Sequence, residues 1–118
     1  MQGAGHLKIK GCDFICSVDF GAYACEKGFN RNGGSDELTI LVRRDRERYV
    51  VIRKVSVKVR SFFRRTRSSS TEQILDPEQF SVFIARLRCA DPGCFEILDH
   101  AWSQTGRPSL KTLTDHLI

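Results

Sequence analysis

No apolar run in this chain approaches the ~20 residues that span a bilayer. The opening residues, MQGAGHLKIKG, lack the apolar core and small-residue cleavage site of a secretory signal. These absences predict a protein without a membrane partner, in the cytoplasm or the nucleus. Catalytic fingerprints are missing as well: there is no GxSxG, P-loop, HExxH or dinucleotide-binding string. Cys94 or Cys25 could be set against His100 as a nucleophile and base, but no spacing in the sequence fixes such a geometry. The chain is therefore read as non-enzymatic, with no cofactor. Internal repeats are absent, and so is the aromatic string of an RNA-recognition module.

The five cysteines are an odd number, and without an export signal they read as reduced thiols. Cys12 and Cys16 resemble a metal pair. On a strand, however, four residues separate them by about 13 Å, too far to share one ion. Cys89 and Cys94 flank the Asp91-Pro92 turn, and with His100 they are the residues that would hold a metal. Structural zinc usually shows two close ligand pairs, and one is missing here, so no metal is expected.

What the chain does have is a basic stripe. Residues 43–67 carry eleven of its nineteen Lys and Arg residues against two acids, Asp45 and Glu47. That segment is +9 while the rest sums to −4, giving the formal +5. Nine of the eleven are arginine, whose planar fork suits phosphate and carboxylate. A field this concentrated attracts polyanions.

A length of 118 residues predicts one domain, residues 1–118, large enough to bury a core without staples. Strands are expected over about 7–63. Cys12, Phe14, Cys16, Val18 and Phe20 fall on alternate positions, with Asp13, Ser17 and Asp19 between them, and a second strand over 37–43 puts Leu38, Ile40 and Val42 on one face. Residues 25–36 read as a loop around Asn32-Gly33-Gly34. From Arg48 to Phe63 the alternation resumes through Tyr49, Val51, Val55, Val57 and Val59. Arg53 interrupts it, which predicts a bulge or a break near Arg53 and Lys54. Residues 64–75, basic and Ser/Thr-rich, read as a loop; Arg64, Arg65 and Arg67 before Ser68 also resemble a kinase substrate or an import signal. The period then becomes helical. Asp76-Pro77-Glu78-Gln79 and Asp91-Pro92 are helix starts, Leu75 and Phe80 suit a hydrophobic staple, and Gly106 and Pro108 end the second helix. A short third helix through Leu110, Leu113 and Leu117 follows. Strands first and helices last is the α+β pattern: a small antiparallel sheet with two to three C-terminal helices on one face.

The functional expectation is a nucleic-acid-binding protein, with RNA or single strands favoured. It would act through a basic sheet face and an arginine-rich loop: Arg43, Arg44, Arg46, Arg53, Lys54, Lys58, Arg60, Arg64, Arg65 and Arg67. Phe62 and Phe63 would be available for stacking. Small basic accessory or regulatory proteins, virus-encoded ones included, share this composition. The alternative is a protein-interaction module in which the arginines grip an acidic protein, or the strand Arg48–Ser61 offers its edge to a partner or to a homodimer.

Overall fold

A computed structural model describes residues 9–26, 34–59 and 65–117. Its elements are β1 (Cys12–Asp19), α1 (Gly21–Glu26), β2 (Gly34–Arg43), β3 (Tyr49–Val59), β4 (Arg65–Leu75), α2 (Pro77–Ala90), α3 (Pro92–Ser103) and α4 (Leu110–Thr114). The strands form one antiparallel sheet in sequence order, β1-β2-β3-β4, and the three C-terminal helices follow it. This is the expected α+β architecture.

Register sorts the sheet into cross-strand rows whose residues share a face. The rows Cys16–Ile40–Val51–Gln73 and Val18–Leu38–Arg53–Thr71 look toward the helices. Their apolar members join Phe80, Ile84, Phe95, Leu98, Trp102 and Leu110 in the core, where Ile40, Ile84 and Leu98 are fully buried. Phe20, just past β1, belongs to the same core. The Tyr49 ring stacks on Phe80 at 4.1 Å between centroids, and Phe80 in turn on Trp102 at 5.7 Å. That chain of rings pins α2 and α3 to the sheet.

Three expectations need correction. The alternation in β1 does not keep one phase, because a bulge shifts register between Phe14 and Cys16. Phe14 therefore pairs with Leu41 in the opposite-face row Phe14–Leu41–Val50–Ile74, while the bulged Ile15 enters the core. Next, β3 is one unbroken strand, in continuous register with both neighbours through Arg53 and Lys54. Arg53 shares its helix-side row with the core residues Val18 and Leu38, but its side chain is 59% exposed and gripped by Asp36, so the strand has no need to break. Finally, the polar stretch expected as a loop at 64–75 is the strand β4, paired with β3 from Val59↔Arg65 to Tyr49↔Leu75. Its backbone satisfies its donors and acceptors on β3 while its side chains from Ser68 to Ile74 stay exposed. The edge expected of Arg48–Ser61 is therefore taken up where both neighbours are described: from Tyr49 to Val57, β3 is an interior strand with β2 on one side and β4 on the other.

Local helix signals hold. Asp76 Oδ1 accepts from Gln79 N at 2.8 Å and Gln79 Oε1 from Asp76 N at 3.0 Å, a reciprocal capping box. Leu75 packs against the core that contains Phe80, as a staple requires. Asp91 closes α2 and opens α3, with Cys94 N donating to its Oδ1 at 3.2 Å. Gly106 takes φ 81°, a left-handed conformation suited to glycine just past a helix end. Ser109 caps α4, which buries Leu110 and leaves Leu117, beyond its end, 45% exposed. The expected loop at 25–36 contains the end of α1 and the start of β2; residues 27–33 lie outside the described set.

Candidate nucleic-acid interface

The sheet narrows toward one end. β1 reaches only as far as the row Asp19–Glu37–Lys54–Ser70, and β2 ends at Gly34 opposite Val57. Among the described residues, β3 and β4 alone continue beyond Val57, paired as far as Val59↔Arg65. Ser68, Ser69 and Ser70 are exposed, and the core cluster of β3 goes no further than Val51. The β3–β4 hairpin is thus a two-stranded arm leaving a packed body. Residues 48–71, the arm with its root and its connection, carry eight Lys and Arg residues and no acid.

The bases singled out from sequence do not form one face. Arg43 bonds Asp45 at 3.1 Å, and Arg44 Nε bonds Asp13 Oδ1 at 2.7 Å, which raises the Arg44 pKa. Arg46 is exposed between them in the β2–β3 turn, at the opposite end of β3 from the arm. Arg53 makes two parallel bonds to Asp36, at 3.0 and 2.7 Å, and that hydrogen bonding raises its pKa. Lys54 is exposed on the other face, in the row with Glu37 and Asp19. Further out, register sets Lys58 opposite Thr66, Arg67 opposite Val57 and Arg65 opposite Val59. Arg60, Arg64, Phe62 and Phe63 lie outside the described residues. Ser68 is on the strand, its hydroxyl 3.1 Å from that of Ser56, not in a flexible loop.

Cys89, Cys94 and His100 do not gather into a metal site, and the Cys25 side chain lies outside the described residues. Cys89 and His100 are exposed, and among the described residues no three His, Cys, Asp or Glu side chains converge on a metal site. Cys94 instead belongs to a polar cluster at the α2–α3 corner. Asp91 Oδ1 accepts from the Tyr23 hydroxyl at 2.9 Å as well as from Cys94 N. Burial first, then the hydrogen bond to Asp91, pushes the Cys94 thiol up to about 12. The same thiol contact, with the other bonds it accepts, lowers the Asp91 carboxyl below its ordinary value. Beside this cluster is a cleft of about 520 Å³ with apolar walls from Leu38, Val51, Phe83 and Leu87 and with Arg53 and Asp36 at its polar side. Its charged groups satisfy one another, which leaves little to orient a ligand.

No family model, curated protein or solved structure matches this chain. Sequence reasoning missed the Tyr23–Asp91 bond, for which no local signal exists. It also missed the partition of the bases: Asp45 lies among them in sequence, but Asp13 and Asp36, which hold Arg44 and Arg53, come from β1 and from the start of β2.

Proposed function

We propose that this protein binds nucleic acid without catalysis, through the basic β3–β4 arm. The observation that carries the reading is the arm itself: an antiparallel ribbon drawn from a segment with eight bases and no acid, extending past the helix-packed body. A two-stranded ribbon has the width of a duplex groove. It also offers cations along both of its strands, matching the two phosphate rows that flank a groove. Duplex DNA is accordingly the ligand class, recognised by shape and charge, since the deep, narrow major groove of A-form RNA does not admit a ribbon. The bases assigned to the contact are Lys58, Arg65 and Arg67 on the arm and Lys54 at its root, with Arg60 and Arg64 from the sequence that joins β3 to β4. Arg43, Arg44 and Arg53, each held by a carboxylate, contribute less.

Two variants test this division. Lys54→Gln with Lys58→Gln and Arg67→Gln should weaken binding by a similar factor for unrelated duplex sequences. It should also flatten the plot of log affinity against log salt by about 0.7 to 0.9 for each phosphate that is no longer neutralised. Arg43→Gln with Arg44→Gln removes one charge fewer, and should leave that slope nearly unchanged. Equal effects from the two variants would refute the arm as the site. A parent protein that fails to bind duplex or single strands at low salt would end the nucleic-acid reading altogether.

A further inference from the structure

The two outer strands of the sheet are built differently. β1 has eight residues, a bulge after Phe14, and carboxylates at Asp13 and Asp19. Short length, a bulge and charge are the usual protections against a neighbouring strand. β4 has none of them in its central part. It runs eleven residues in unbroken register with β3, without proline or glycine, and is uncharged from Ser68 to Thr71. Among the described residues no strand pairs with its outer side, and Ile74 on it is 55% exposed.

We infer that β4 is a pairing edge and that its occupant is β4 of a second copy of this chain, so that two molecules share one eight-stranded sheet. A two-fold axis normal to the sheet keeps both sets of helices on the same side. It also requires that opposed residues share a face, so one residue must oppose itself. Centring the axis on Ser70, the midpoint of β4, brings all eleven residues into register. Ser69 then opposes Thr71 of the copy, Ser68 opposes Glu72, Thr66 opposes Ile74, Arg67 opposes Gln73, and Arg65 opposes Leu75. No charge meets its own sign, and the centre is a Ser/Thr ladder, whose hydroxyls pair well across strands. Gln73 and Leu75 border a groove of about 390 Å³ between β4 and α2 whose wall includes Glu78. Arg86 lines the same groove, so the positions of Arg65 and Arg67 of the copy, opposite those two residues, face a groove of mixed charge. An acidic peptide, by contrast, would find no charge along the central edge to hold it.

The test is sedimentation velocity of the intact protein without nucleic acid, which separates this proposal from the one above. The parent should form a species of twice 13.4 kDa as concentration rises. Ser69→Lys with Thr71→Lys puts lysines directly opposite lysines in the shared sheet, and should raise the dissociation constant roughly tenfold or more. Both positions are exposed, so the monomer should keep its helix and strand signature and its melting temperature. The corresponding double glutamate variant should also dissociate, and a mixture of the two should recover a heterodimer. A parent that stays monomeric at its highest attainable concentration overturns the proposal. A lysine variant that associates like the parent, or a mixture that does not associate, overturns it equally.

Discussion

Arg53 and Lys54 are neighbours in sequence and meet opposite environments. Strand pleating sends Arg53 to the helix side, where Asp36 holds it in two bonds, and sends Lys54 to the outer face among Glu37 and Ser70. Exposed pairs of this kind contribute about 0–1 kcal/mol, so the Arg53–Asp36 bond is better regarded as positioning than as stabilising. The buried thiols are a different matter. Burial pushes Cys16 up to about 11, and Cys94 is raised to about 12. In the unfolded chain a thiol ionises near ~8.5. Above that pH the unfolded state sheds protons that the folded state keeps, so the stability due to these thiols is full below about 8.5 and is lost as pH rises toward the folded values. The urea midpoint, measured with reductant present, should thus fall between pH 8 and pH 10. Cys16→Ala should make that fall shallower, whatever it costs in packing at pH 7. An unchanged slope in the variant would show that Cys16 ionises in the folded state as readily as in the unfolded one.

At the level of elements, the α2–α3 corner depends on a glycine that helix propensity would argue against. Gly93 lies in the first turn of α3, where alanine would normally be better by about 1 kcal/mol. A Cβ there would collide with the hydroxyl and ring of Tyr23, which donates to Asp91. Gly93→Ala should consequently lower stability, against the sign expected from propensity. Tyr23→Ala should relieve the clash, so that Gly93→Ala becomes neutral or stabilising in that background. Additive effects in a double-mutant cycle, read by chemical denaturation, would refute the contact. The Asp91-Pro92-Gly93 turn was legible in sequence because capping chemistry is local. Tyr23 was not, since sixty-eight residues separate the partners. The same distinction explains β4. Strands β2 and β3 announce themselves because one face is apolar and buried. β4 owes its conformation to backbone pairing with β3, and a stretch such as Ser68-Ser69-Ser70-Thr71 has no hydrophobic alternation to reveal that. The bulge at Ile15 did leave a trace in the sequence, because Ile15 is the one apolar residue out of phase between Cys12 and Phe20, but only the pairing of Phe14 with Leu41 and of Cys16 with Ile40 shows that the phase has slipped there.

For the whole molecule, charge is arranged as a dipole: +8 over residues 48–71 against −3 for the remainder. Joining two copies along β4 would set their arms at opposite ends of the shared edge. In the Ser70-centred register, Arg65 of each copy lies opposite Leu75 of the other, ten residues away, which is about 33 Å at the strand rise. One turn of duplex is about 34 Å. In the dimer the outer side of each arm is paired with the copy. The arms should therefore present their bases to phosphates along successive turns of one duplex without entering its groove, and the second engagement is intramolecular. Affinity should rise stepwise, by about 10²–10⁴, once the duplex exceeds roughly one turn of 10 base pairs and both arms can bind. The Ser69→Lys, Thr71→Lys variant isolates the cause. Its added charges can only strengthen attraction to phosphate, so loss of the step in this variant must come from loss of the second arm. Titrations of duplexes shorter and longer than one turn, at fixed salt, read the outcome directly. A smooth rise with length in the parent, no steeper than in the lysine variant, would mean that the arms act singly even where the dimer forms.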